Sequence, residues 1–231
     1  MKHWKQSIIL SLGGSLIVPN GGIDTAFLKA FNEFIRRHIE EGRRFFIITG
    51  GGGTCRTYQN GAKAVVDVPN EDLDWLGIHS TRLNAHLIRT IFRDIARPQI
   101  FESYGEKSDI GEYPVIVGSG WKPGWSSDYD SVMMGKFYGA KTIINMSNTD
   151  GVYTADPRKD PHAKRIDRID WKEYRKMFGD TWTPGLSTPF DPIAAKLADE
   201  FGIRVITLEG KDLKNLENAI LGKEFVGTTI G

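Results

Sequence analysis

The chain has one cysteine, Cys55, among its 231 residues. An intrachain disulfide is therefore excluded, and the sequence reads as that of a protein for a reducing compartment. Neither sign of charge is in excess: Lys plus Arg number 30, Asp plus Glu number 29, and the net charge is +1. No overall field draws the chain to nucleic acid or to an anionic membrane, so any anion must be caught locally. Long apolar runs are missing as well. None approaches the ~18 residues that would span a bilayer, and the opening residues form a polar start and a strand instead of a secretory leader. The expected location is cytoplasmic, with neither nucleic acid nor membrane as a partner. Linkers and internal repeats are absent too, so one domain is expected over residues 1–231, large enough to bury a core without staples.

The familiar nucleotide motifs are also missing. A P-loop needs four residues between its first glycine and Gly-Lys-Ser/Thr, and in the nearest string, "GKFYGAKT", Ala140 separates Gly139 from Lys141. "GSGWKPG" has the wrong spacing for a dinucleotide fingerprint, and its Pro123 blocks a helix start. Histidine is scarce. His79 and His86 lie on one helix without a Cys or carboxylate at ligand spacing, so they read as surface residues and no protein-held metal site is expected.

What is there is an alternation. Short apolar strands are expected at Ile8–Leu12, Arg44–Thr49, Tyr113–Val117, Thr142–Met146 and Arg204–Leu208. Between them, helical periodicity runs through Phe27, Phe31, Phe34 and Ile35, from about Thr54, and over Glu71–Ile95, with Leu73, Leu76, Leu83 and Leu87 along one side. Further helices are expected at Asp128–Tyr138, Asp191–Phe201 and Leu213–Leu221. This pattern implies a mainly parallel sheet covered on both faces. The stretch Arg175–Asp191, rich in Gly, Pro and Thr, reads as a long ordered loop.

Three glycine-bearing loops follow strands: Gly13-Gly14-Ser15, Gly50–Gly53 and Gly118–Gly124. In an open parallel sheet such loops share one rim, where bare backbone N–H groups and helix starts can cradle phosphate. Each loop singly has a plainer reading as an ordinary turn; the three together favour an anion site. "NMSNTDGVYTADPRKDP" (Asn145–Pro161) brings Ser147, Asn148, Asp150, Tyr153 and Asp156 to one strand end, suited to a ribose, a base edge or the ordering of a phosphate loop.

The strings "SLGGS", "DWLGIHSTRLNA", "PGWSSD", "NTDGVYTADP", "DPIAAK" and "GTTI", in this order and nearly end to end, resemble the amino acid kinase family, most closely its archaeal-type uridylate kinases. The resemblance implies a three-layer α/β/α sandwich with a mainly parallel central sheet, an acceptor-side half over about 1–140 and a donor-side half over about 141–231. It implies transfer of the ATP γ-phosphoryl group to UMP in pyrimidine nucleotide biosynthesis, with Mg2+ delivered by ATP, and a homohexamer. By position, Gly14, Ser15, Gly52, Arg56, Ser147, Asn148, Tyr153 and Asp156 would surround ATP. Gly51, Asp74 and the run Gly120, Trp121, Lys122, Pro123, Gly124, Trp125 and Ser126 would surround UMP. Arg56, Lys122 and Asp150 are the candidate catalytic residues.

Two departures stand out. Ser11 occupies a first-strand position where many relatives carry lysine, so another cation must face the transferring group, and Lys122 with Arg56 is the expected pair. Trp121 and Trp125 replace smaller or imidazole side chains, leaving base stacking, pocket capping and subunit contact all open. A different small acceptor and a nucleotide-binding protein without turnover are the alternative functions. The loop around Trp182 is a possible donor-side lid.

Overall fold

The structure, a computed structural model, describes residues 4–20, 22–157, 159–179, 181 and 188–231. Strand β1 (Gln6–Leu12) is buried from Ile8 onward, as an apolar run in the middle of a parallel sheet must be. Gly13 leads into a single helical turn, α1 (Gly14–Ile17), which no periodicity announces. Helix α2 (Thr25–Glu40) starts where the Asp24 carboxylate accepts from the Phe27 N–H at 3.0 Å, and it buries Phe27, Phe31, Phe34 and Ile35.

After β2 (Arg43–Thr49) come α3 (Gly52–Lys63) and α4 (Asn70–Ile91). Helix α4 ends four residues before the expected Ile95, because Phe92 leaves helical dihedrals and turns into the core. Leu83, expected on its buried side, is 62 % exposed; the inward stripe is Leu73, Ile78, Thr81, Asn84, Ala85 and Ile88.

The alternation continues through β3 (Val115–Gly118), α5 (Ser127–Tyr138) and β4 (Thr142–Ser147). Short strands β5 (Val152–Tyr153), β6 (Arg165–Ile166) and β7 (Arg168–Ile169) follow, then α6 (Trp171–Phe178) and α7 (Pro192–Glu200). Strand β8 (Arg204–Glu209), α8 (Leu213–Ile220) and β9 (Thr228–Ile230) complete the chain. Helix α6 takes the first residues of the stretch expected to be loop, its start capped by Asp170. Most of the remainder, including Trp182 and its expected lid, lies outside the described residues.

Seven strands form one sheet in the order β3-β2-β1-β4-β8-β9-β7, parallel except for the β8–β9 pair. One apolar layer packs α2, α4 and α8 on one face, and a second packs α5, α6 and α7 on the other. The three-layer α/β/α sandwich with a mainly parallel sheet expected from the sequence is what forms. Among the described residues no helix is long and apolar enough to cross a membrane.

Register positions the site. Leu12 pairs with Thr49 on one side and with Met146 on the other, so Gly13, Gly50 and Ser147 leave the sheet side by side. Strand order reverses between β1 and β4, and a crevice at such a reversal is where open α/β sheets bind ligands.

Candidate active site

The two glycine loops at the reversal are built into each other. A Cβ on Gly14 would lie 2.2 Å from the Gly52 nitrogen and 2.5 Å from the Gly50 carbonyl; one on Gly52 would lie 2.2 Å from the Gly14 oxygen. Gly52 also has φ +62°. Only glycine permits this approach of two backbones. The amides of Gly13, Gly50 and Gly53 are used internally, donating to the carbonyls of Met146, Leu12 and Val18. Those of Gly14, Ser15 and Gly52, at the first positions of α1 and α3, find no backbone acceptor among the described residues, as expected for the first N–H groups of a helix. Arg56, one turn into α3, donates to the Ser15 hydroxyl at 3.3 Å and to the Pro19 carbonyl at 3.1 Å. A planar cation and unclaimed amides therefore share one corner, the arrangement that suits phosphate.

Beside this corner, beyond β4, opens a groove of about 1010 Å³. Four of the residues expected around ATP, Ser147, Asn148, Tyr153 and Asp156, line it together with Phe178 and Pro189. The Asp150 carboxylate is occupied at both oxygens: the Tyr153 hydroxyl donates to one at 2.7 Å and Arg165 to the other at 2.9 Å. Partial burial opposes ionisation of Asp150, but these two donors outweigh it and hold the carboxyl below its usual range. The bond to Asp150 in turn pushes the Tyr153 hydroxyl up. In this arrangement Asp150 fixes the ring that faces the groove.

The third loop departs from the expected bare-amide cradle. Ser119 N–H donates to the Phe101 carbonyl at 2.9 Å, and Gly120 N–H donates to the Thr81 hydroxyl at 2.7 Å. Helix α4 holds the rest of the loop: Arg82 donates to the Trp121 carbonyl at 3.3 Å, and the Asp74 carboxylate accepts from Gly124 N–H at 2.8 Å. Gly124 has φ +82°, a conformation suited to glycine. The exposed Lys122 ammonium sits 4.3 Å from the Trp121 ring and 5.1 Å from that of Trp125, whose centroids are 5.8 Å apart. Cation–π attraction stiffens this loop tip. Ser126 caps α5 by accepting from Tyr129 N–H at 3.2 Å. Gly51 is wedged against α3, where a Cβ would fall 2.7 Å from the Cys55 Cβ.

Sequence reasoning missed a cluster of carboxylates between the two sides. Asp128 accepts from the Ser11 hydroxyl at 3.3 Å and from Asp191 N–H at 3.0 Å. Burial, then the charge of Asp191, pushes Asp128 up to about 7. Asp130 is fully buried, with neither carboxyl oxygen hydrogen bonded at normal geometry, and burial holds it well above the usual range. Asp191 caps α7 through Ala194 N–H at 2.7 Å and is also raised by burial. In the sequence Asp128 stood only as the end of "PGWSSD" and Asp191 as the start of "DPIAAK", with nothing to bring them together. Among the described residues no group of three His, Cys, Asp or Glu side chains could hold a metal ion.

The sequence pattern of the amino acid kinase family matches residues 6–103 and 108–208. The chain belongs to the amino acid kinase family. Within it, the chain is 33% identical to a uridylate kinase of Methanocorpusculum labreanum, over 97% of this chain and 95% of that one. It is 34% identical to a uridylate kinase of Pyrococcus abyssi, over 96% and 98%. The solved uridylate kinase of Archaeoglobus fulgidus superposes with a TM-score of 0.80, at 28% identity over 97% of this chain and 99% of that one. A groove thus lies on one side of the strand-order reversal, and a separate loop held by α4 leads into α5.

Proposed function

We propose that this chain is a UMP kinase, transferring the γ-phosphoryl group of ATP to UMP to give ADP and UDP. The observation that carries the reading is the corner where the Gly14, Ser15 and Gly52 amides and Arg56 adjoin the Tyr153 groove. The uridylate kinases to which the chain is similar support UMP as the acceptor.

The groove takes adenine and ribose against Tyr153, Ser147 and Asn148, with Asp156 at its rim, and the glycine amides take the phosphates. UMP lies between Gly51, Asp74 and the loop Gly120–Ser126. A UMP phosphate oxygen, already ionised near neutral pH, attacks the γ-phosphorus while the bond to the β–γ bridging oxygen breaks. No general base is required, and the protein's task is positioning and charge neutralisation. Mg2+, carried in on the ATP phosphates, supplies part of that neutralisation. Arg56 and Lys122 supply cations from the donor and acceptor sides, and Asp150 acts by orienting Tyr153.

The division into an acceptor half near residues 1–140 and a donor half near 141–231 follows the same layout. We further place the chain in a homo-oligomer, a hexamer by resemblance, with the exposed apolar side chains Tyr58, Val65, Val66, Trp75 and Leu83 around α3 and α4 as the contact face.

The test is ADP release with ATP-Mg and each common nucleoside monophosphate in turn. UMP should be the preferred acceptor. ATP binding without transfer to any of them would refute a nucleoside monophosphate kinase.

A further inference from the structure

The opposite end of the sheet carries a second groove, unrelated to the glycine loops. It has a volume of about 780 Å³ and lies at the amino-terminal ends of β1, β4 and β8. Ile8, Ile144 and Ile206 supply apolar lining between the polar residues Gln6, Ser7 and Thr142. The ends of α5, at Tyr138 and Gly139, and of α8, at Ile220 and Gly222, form the walls together with Phe225.

Five cations line it, Lys5, Lys141, Arg168, Arg204 and Lys223, and no carboxylate does. In a chain of net charge +1 this is a marked local excess. Elsewhere the chain pairs its surface cations readily: Arg36 with Asp94, Arg37 with Glu217, Arg165 with Asp150 and Lys211 with Asp24. Among the described residues none of the five groove cations has an ion-pair partner. Lys141 reaches only the Phe201 carbonyl at 3.3 Å and Arg204 only the Thr142 hydroxyl at 3.4 Å.

Uncompensated like charges around one concavity repel one another. That cost is relieved by an anion able to touch several of them at once. The volume suits a small molecule, and a concave shape favours one over a flat anionic surface.

We propose that this groove binds a soluble small molecule carrying several phosphates, with an apolar portion resting on Ile8, Ile144 and Ile206. The phosphates meet Lys5, Lys141, Arg168, Arg204 and Lys223. The site lies at the far ends of β1 and β4 from the loops assigned to ATP, and the proposal goes beyond the kinase reading without resting on it.

Calorimetric titration of the full chain with inorganic tripolyphosphate tests it, against a variant carrying Lys5→Gln, Lys141→Gln and Lys223→Gln. All three side chains are exposed, and equal melting temperatures verify that the variant folds. The wild-type chain should bind one equivalent more per chain than the variant. That extra site should weaken on the order of tenfold between about 50 and 300 mM salt, as screening shortens the reach of each cation. Transfer from ATP without tripolyphosphate should be the same in both proteins. Equal stoichiometry would overturn the proposal. Sedimentation of the wild-type chain alone with phosphatidylserine vesicles, without the extra equivalent, would overturn it in favour of a membrane-facing surface.

Discussion

The Ser11 hydroxyl on β1 donates 3.3 Å to the Asp128 carboxylate at the start of α5, linking residues 117 apart in sequence. The partner that Ser11 offers is a neutral hydroxyl, so Asp128 meets a dipole in place of a charge. Burial and Asp191 then push its carboxyl up to about 7.

The sign of the pH effect follows. The folded state holds the Asp128 proton more tightly than the unfolded chain does, so the contribution of Asp128 to stability is fully present below about pH 4 and is lost as pH rises towards 7. Asp130 and Asp191 shift in the same direction. Asp128→Asn should flatten that decline and raise stability at pH 8 by at least about 1.4 kcal/mol, the worth of one pKa unit. Denaturant unfolding at pH 5 and pH 8 measures it; an unchanged difference between the two pH values would count against a raised Asp128.

Glycine at position 14 is required by contact with backbone, which cannot yield. Gly14→Ala should destabilise the chain by about 1–3 kcal/mol, as overpacking does, and should abolish ATP binding. Gly22→Ala, where an added Cβ meets nothing within 4 Å, should be neutral. Equal unfolding midpoints for the two variants would refute the interlocked loops.

Asp150→Ala releases both Tyr153 and Arg165. The KM for ATP should rise about tenfold, equivalent to about 1.4 kcal/mol, with kcat changed less. Tyr153→Phe, which loses the hydroxyl and keeps the ring, should show a smaller effect. A fall in kcat at constant KM would make Asp150 a participant in the chemical step.

Lys122→Ala removes the cation held by two indoles. Turnover should fall by at least tenfold while ATP affinity is kept, and Lys122→Arg should restore part of it. Steady-state kinetics with both substrates varied decides; unchanged turnover removes Lys122 from the mechanism.

Leu83→Glu places a charge on the exposed apolar side of α4. In the proposed oligomer it should lower the mass measured by light scattering without unfolding the chain. An unchanged mass would move the contact elsewhere.

Strand and helix alternation was legible because apolar runs and helical periodicity depend on local residue order. Leu83 misled because its spacing from Leu76 and Leu87 fits a helical stripe, while the small residues Ala85, Asn84 and Thr81 take the inward face. Two-residue strands such as β5 and β6 exist only through their partners and leave no periodic trace. Ser147, Asn148, Tyr153 and Asp156 could be grouped in advance because one strand end delivers them, and they line one groove. The Asp128, Asp130 and Asp191 cluster could not, since it requires α5 and α7 to meet over β1. The bonds that occupy the Ser119 and Gly120 amides come from Phe101 and Thr81, distant in sequence, and the glycine pattern carries no sign of them.

The most direct measurement is a single-turnover experiment with excess chain, ATP labelled at the γ-phosphate, magnesium and UMP. The account predicts that label appears in UDP and that transfer fails when UMP is omitted. Label that remains in ATP, or leaves only as inorganic phosphate while UMP stays unphosphorylated, would contradict it.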